Sequence, residues 1–456
     1  MNSQDKSLNQ KIVFKKIKID LPFIMLIFLF PSFITGCKIG TKDGHVAEDI
    51  NVDQNPLWAV KLIEAYAALS KERNMATADL LFDATNGMPR KNWENYLVCA
   101  IIYVPEGEYD KAFMAMEEAI DTGMREVDLL NSIPELSPIK SDSRWEGLIA
   151  KIQQKKNEYL ETVENPKLLK VLENMWAKDQ IALAQYEEHV NLLDSLATNE
   201  DYARLFERVE TRWEINRKKL DSIIATHGWP GNRLVGEDGS KIAWAIPQHH
   251  PNIFFKQKCQ ELIKEAVEKG DSDPNHYAEL TDRIARDTWQ KQVYGSSMAE
   301  NAPHPIKDVA TVNERRFELG LLEPIEVYAY YHGIEYRLPT KDEAKQQSEE
   351  HYNKAQRNYT HFENFLKAKA IDSALTYIKM AIKSHGDLSN QQLFQAALKL
   401  GVYSEESAKK LSIRILKVLI WRKWDKRFEA IVRDKFLSLE EKDWNDISQL
   451  LNESGK

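Results

Sequence analysis

The sequence predicts a mainly α protein: helical hairpins plus a helical domain with a loop-rich centre. Three observations lead there. Apolar residues recur at helical spacing, as where Leu168, Leu169, Leu172, Met175 and Trp176 fall on one face. Runs of alternating β-branched residues, which a half-buried strand requires, are scarce. Proline and glycine gather in two stretches, Gly228 to Pro251 and Gly295 to Pro324, which punctuate the middle of the chain.

The N-terminus reads as a secretory signal. Lys6, Lys11, Lys15, Lys16 and Lys18 form a positive region ahead of an apolar run from Leu21 to Phe33. That run is too short, and too broken by proline, for a comfortable membrane-spanning helix. It ends in Ile34-Thr35-Gly36-Cys37, which resembles the bacterial lipobox. The resemblance implies that Cys37 carries a fatty-acylated (palmitate-type) anchor and becomes the first residue after residues 1–36 are removed. Two or three acyl chains bury enough methylene groups for stable attachment, where one does not. Residues 37–56 are polar and aperiodic and read as a flexible tether. Lys38 stands where an aspartate would indicate retention at the inner membrane, so the expected location is the cell envelope, at the outer membrane more than the inner.

Cleavage after Gly36 leaves 420 residues, and losing five lysines and two aspartates takes the formal charge from −8 to −11. A chain of this length supports two or three cores. The acidic balance argues against nucleic acid as the main partner. Beyond Cys37 only Cys99 and Cys259 remain, each in an apolar helical context that suits a buried free thiol better than a disulfide. No second apolar segment is long enough to span a membrane.

Residues 57–160 carry a repeat-like pattern. Gly107-Glu108-Tyr109-Asp110-Lys111-Ala112, followed by Glu117-Glu118-Ala119-Ile120, resembles the second helix of a tetratricopeptide repeat. Leu136 and Ser141-Asp142-Ser143-Arg144-Trp145 resemble the tail that closes short arrays of such repeats. Asp110, Ala112, Phe113, Met116, Ala119 and Ile120 recur in type as Asp372, Ala374, Leu375, Ile378, Ala381 and Ile382, in a C-terminal helical region spanning residues 345–456.

Between these, residues 167–335 carry six short blocks: Asp179-Gln180, His227-Gly228-Trp229-Pro230, Trp244 with Gln248-His249, Leu280-Thr281-Asp282-Arg283, Gln292-Val293-Tyr294-Gly295, and Arg315-Arg316 before Leu319-Gly320-Leu321. Their order and spacing resemble a bacterial family of unknown function, a likeness that implies no activity. Ser296-Ser297 departs from the Thr-Gln expected after the Tyr-Gly pair.

Two readings of these blocks compete. In one, they are helix ends and core aromatics: His227 meets the last carbonyls, Gly228 takes the left-handed cap and Pro230 stops the helix. Gln248-His249-His250-Pro251 admits the same account, and Asp282-Arg283 reads as an ion pair or a pair of loop anchors. In the other, His227, Trp229, Trp244, Gln248, His249, Asp282, Arg283, Gln292 and Tyr294 line a pocket in which His227, His249 and Asp282 do acid/base chemistry. The sequence has no zinc-type spacing, nucleophile elbow, phosphate-binding glycine loop or C-x-x-C motif, so neither metal nor cofactor is expected and the enzyme class stays open. Lys409 to Lys435 is basic with Trp421, Trp424 and Phe428 interleaved. Ile413, Leu416, Ile420, Trp424 and Phe428 follow the spacing of a core face, which leaves the charges solvated.

The expected whole is a membrane-anchored cell-envelope lipoprotein that binds a protein or peptide partner or acts as a scaffold. The alternative is an envelope enzyme, of hydrolase or acid/base type, built on His227, His249 and Asp282.

Overall fold

The computed structural model describes residues 55–192, 199–423 and 441–454. Cys37, the leader and nearly all of the tether lie outside the described residues, as do Trp424 and Phe428. The described residues are mainly helical, and their only strand-like pairings are two isolated bridges, Gln292 with Ile306 and Met298 with Pro303. No described helix is long and apolar enough to cross a membrane.

The N-terminal region starts with two helical hairpins, α1 (Leu57–Lys71) with α2 (Met75–Asn86) and α3 (Trp93–Tyr103) with α4 (Tyr109–Asp121). Asn74 starts α2 with a reciprocal cap: its side chain accepts from Thr77 N while Thr77 Oγ1 accepts from Asn74 N. In α4, Ala112, Phe113, Ala115, Met116, Ala119 and Ile120 are all buried, and the small residues let neighbouring helices approach. Then follow α5 (Val127–Ser132), a 3-10 turn (Pro134–Ile139) and α6 (Ser143–Glu161), which Asp142 caps by accepting from Arg144 N. Leu136 and Trp145 are buried in the same core.

The central region opens with two long helices, α7 (Pro166–Leu192) and α8 (Asn199–His227), packed against each other. They are followed by α9 (Asn232–His249), α10 (Ile253–Glu268) and α11 (Pro274–Asp287). An irregular stretch leads to α12 (Val312–Leu319) and α13 (Ile325–Tyr331). The proline- and glycine-rich stretch from Gly228 to Pro251 is therefore mostly helix, which corrects half of the loop-rich reading. Gly236 bends α9 with φ +74°, and a Cβ there would sit 2.3 Å from Tyr159 Oη. Pro247 lies in the last turns of α9. The second stretch, Gly295 to Pro324, is irregular in its first part.

The C-terminal region packs α14 (Lys341–Lys367) on α15 (Ile371–Ile382), and α16 (Asn390–Leu400) on α17 (Glu406–Trp421) with α18 (Glu441–Ser454). Ala374, Leu375, Ile378, Ala381 and Ile382 are buried, as their counterparts in α4 are. The basic helix is buried on more than one face. Leu416 and Ile420 enter the C-terminal core, Val418 and Trp421 enter the central core, and Ile413 is half-buried.

The regions are joined by their cores. Val327 of α13 belongs to the N-terminal core, with Tyr330 and Tyr331 packed against it. Tyr66 donates to Asn95 Oδ1 at 2.5 Å and lies 3.0 Å from the Tyr331 hydroxyl. At the other end Lys291 pairs with Asp387 at 2.8 Å, and Arg422 donates to the carbonyls of Thr288 and Trp289.

Candidate functional site

The six blocks of the central region do two different jobs. The first is to shape the loop after α11. Asp282 is fully buried, and its carboxylate accepts from Val293 N (2.6 Å), Tyr294 N (3.1 Å), Ser296 N (2.8 Å) and Ser296 Oγ (2.8 Å). Burial pushes this carboxyl above its ordinary range, and the four donors pull it back. Gln292 staples the same loop by donating to the Ser297 and His304 carbonyls and accepting from Ser297 N. Two arginines hold the carbonyl side. Arg315 donates to Val293 O and Lys307 O, and the fully buried Arg316 donates to Tyr294 O and Glu323 O. Gly295, at φ +72°, seats the loop on α13, where a Cβ would meet Ile325 at 2.3 Å.

The second job is done where α7, α8 and the end of α9 meet. His249 Nδ1 lies 2.9 Å from Asp179 Oδ2, both side chains almost fully buried. The other Asp179 oxygen accepts from Asn216 Nδ2 at 3.2 Å. Trp176 stacks on the imidazole with ring centroids 5.8 Å apart, and Trp213 lies 6.3 Å away, tilted. Helix periodicity explains the assembly: Trp176 and Asp179 are three apart on α7, and Trp213 and Asn216 three apart on α8, so each pair shares a face. His250 turns the other way, to Glu214 at 3.2 Å. Burial lowers the His250 pKa, with Glu214 opposing.

Around α11 the remaining polar residues divide by charge. Arg283 donates to Gln248 Oε1 at 3.2 Å, and buried Lys256 meets Asp287 at 2.5 Å. Burial pulls Lys256 down to about 8. Burial alone would raise Asp287, but Lys256 and Arg283 outweigh it and hold the carboxyl below its ordinary value. Toward the N-terminal region, half-buried Glu94, Asp273, Glu279 and Glu323 lie close enough to feel one another's charge, with Lys241 opposing at Glu94 and Glu279. Burial, with help from Asp273, pushes Glu94 and Glu279 each up to about 7. His276 stacks on Trp244, centroids 4.9 Å apart, and burial takes it down to about 4. Among the described residues, no group of three or more His, Cys, Asp or Glu could hold a metal ion.

The residues singled out from the sequence are therefore dispersed. His227 is exposed at the C-terminus of α8, where Gly228 N bonds Ile224 O. His249 is engaged with Asp179, and Asp282 with its loop. The expected joint pocket of His227, His249 and Asp282 is not assembled, because Asp282 faces backbone donors and His227 ends a helix that points it to solvent. Asp282 and Arg283 do not pair with each other, because successive helix positions face different ways. Trp244 is core, Trp229 is half-buried, and Tyr294 meets Tyr277 edge-on at 6.2 Å. Asn216 and Trp213 escape a reading of the sequence, since nothing in it ties them to α9. Asp179 is visible as the head of the first block, but a lone acidic residue on a helix names no partner.

The fold and these two clusters define a mainly α protein with a central region organised by a carboxylate-held loop and a buried Asp–His pair. Residues 181–341 match a family model described as "Family of unknown function (DUF6624)". The match takes in most of the central region and stops at the start of α14. No curated protein and no solved structure matches the chain.

Proposed function

We propose that this chain is a lipoprotein of the bacterial cell envelope, acylated at Cys37, that uses its N-terminal helical hairpins to hold a protein or peptide partner. The observation that carries the binding reading is the spacing of the hairpins. Helices α1 and α3 begin at Leu57 and Trp93, 36 residues apart, and α2 and α4 at Met75 and Tyr109, 34 apart. The second offset equals the 34-residue tetratricopeptide period and the first exceeds it by two residues, and in such repeats stacked pairs present an extended surface to a partner. Beyond the second hairpin, α6 presents an exposed stripe of Glu146, Ala150, Gln153, Asn157 and Glu161. Amide and carboxylate groups of this kind suit a polar, cationic peptide. The anchor rests on the lysine-rich leader, its apolar run and the tetrapeptide ending in Cys37.

Two experiments test the reading separately. Cys37→Ala should abolish labelling by a fatty-acid analogue and release the protein from membranes, and continued labelling would remove the anchor. A photo-crosslinking residue at Gln153 should yield an adduct in intact cells that the same residue at exposed Tyr352 of α14 does not. Identical adduct patterns at both positions would remove the partner surface.

A further inference from the structure

Helix α13 has a neighbour on each side. Val327 lies in the N-terminal core with Tyr330 and Tyr331 against it, while the Tyr328 hydroxyl donates to Glu279 Oε1 of α11 and to Ser296 O. The seam with the hairpins is polar. The hydroxyls of Tyr66 on α1 and Tyr331 on α13 converge on Asn95 Oδ1 of α3, at 2.5 and 3.4 Å. Asn92 joins the two sides: its side-chain oxygen caps α3 by accepting from Glu94 N at 2.8 Å, and its amide donates across the seam to Glu323 Oε1 at 3.3 Å. Glu94, in the first turn of α3, and Glu323, at the entry to α13, therefore bring like charge to one joint from opposite sides. Asp273, the N-cap of α11, adds a third carboxyl group that both feel. Opposing cations are few. Lys241 of α9 faces Glu94, and Arg316 of α12 faces Glu323 while its guanidinium is committed to the carbonyls of Tyr294 and Glu323. On α11, His276 stacks on Trp244 and Arg283 donates to Gln248. Burial keeps the hydroxyls of Tyr66, Tyr328 and Tyr331 protonated, so they bring no charge.

We propose that this joint is a pH-sensitive latch, which holds the N-terminal hairpins on α13 in acid and loosens that hold as pH rises past neutrality. Docking takes Glu94 and Glu323 out of water and sets them near each other and near Asp273, which favours their protonated forms. Burial first, and then Glu323, push Glu94 up to about 7 from an ordinary 4.5. Burial raises Glu323 too, with Arg316 opposing and Asp273 adding to the rise. A carboxyl raised in this way keeps a proton that the undocked state releases. Docking is therefore strongest in acid and weakens as pH climbs through about 7. Between pH 6 and 8 Glu94 alone changes the docking equilibrium about tenfold, and Glu323 acts in the same direction. The Asn92 bond does not oppose the switch, because a protonated carboxyl still offers its carbonyl oxygen as an acceptor. The latch is independent of the anchor and of the α6 surface proposed above.

Hydrogen exchange of the intact chain tests this, with each rate divided by the intrinsic rate at that pH so that only opening is compared. Helix α3 (Trp93–Tyr103) reports on the hairpins, which lose cover when α13 leaves, and α10 (Ile253–Glu268), in the central core, is the reference. Protection of α3 relative to α10 should fall about tenfold or more from pH 6 to pH 8. Glutamine stands in for the protonated acid. Glu94→Gln should therefore match wild type at pH 6 and keep that protection at pH 8. Glu323→Gln, which leaves α3 itself unaltered, should also shrink the fall. A wild-type fall in α3 within about threefold of that in α10 overturns the latch. So does a fall that persists undiminished in both glutamine variants, since another group would then be titrating.

Discussion

Asp282→Asn should loosen the loop after α11 more than it alters any surface. In the native structure two oxygens serve three backbone N–H groups and one hydroxyl. Asparagine keeps one acceptor and puts an NH2 where the other was. If Oδ2 is the oxygen replaced, Ser296 N is stranded against a donor; if Oδ1, Val293 N is. The surviving bonds also lose their charge assistance. A bond to a charged group contributes about 1.5–3 kcal/mol and a neutral one about half that, so the total loss is roughly 3–5 kcal/mol. With several separate cores one melting temperature is a poor measure, so the assay is local: hydrogen exchange of a peptide covering residues 290–300. A loss of about 3 kcal/mol corresponds to exchange faster by about 100-fold. Exchange within about threefold of wild type would refute the account of Asp282 as the holder of this loop. It would reopen the reading of that carboxylate as a ligand-facing group.

Other outcomes follow from the same geometry. Gly236→Ala forces a side chain into the left-handed region and against Tyr159, and should cost roughly 2 kcal/mol or more in thermal melts while pushing the Tyr159 ring off the Arg125 guanidinium; a neutral change would mean the α9 bend is incidental. Glu279 titrates near 7 when folded against 4.5 when free, so it holds a proton that the unfolded chain releases, and stability falls as pH rises through that window. Glu279→Gln should stabilise the fold at pH 8 by on the order of 1 kcal/mol in denaturant unfolding and flatten that slope. His276 behaves oppositely: its pKa of about 4 against 6.5 means stability is lost as pH falls from about 6.5 toward 4, and His276→Phe should flatten the acid side. Cys99 and Cys259 are fully buried free thiols whose pKa values burial drives up, so a thiol reagent should titrate both in denaturant and neither in the folded protein. Failure to titrate either in denaturant would indicate a disulfide.

Helix periodicity makes the fold class readable, because a 3.6-residue pattern survives in any one segment. The small buried residues of α4 and α15 can be placed from sequence for the same reason. Gly236 and Gly239 mislead, since a glycine that allows close approach inside a bent helix looks like one that ends a helix. The site is harder. His249 stands out as a histidine, but its partner lies 70 positions earlier and Asn216 lies 33 earlier. Asp282 stands out as well, yet its partners are backbone amides, which have no sequence signature. A motif records that residues are needed together without recording whether they face a ligand or the chain.

The tyrosine pair Tyr66 and Tyr331 joins positions 265 apart. Until the chain is complete to α13, the N-terminal core lacks Val327, so the first hairpins emerge from synthesis with an apolar face uncovered. Closing so long a segment is entropically expensive before its contacts form, which makes this docking a late step in folding. A fragment cut at residue 160 should therefore be sticky and poorly cooperative, although Asn74, Asn92 and Asp142 cap three of its helices. One extended through Tyr331 should be the shortest N-terminal piece that behaves as a folded unit.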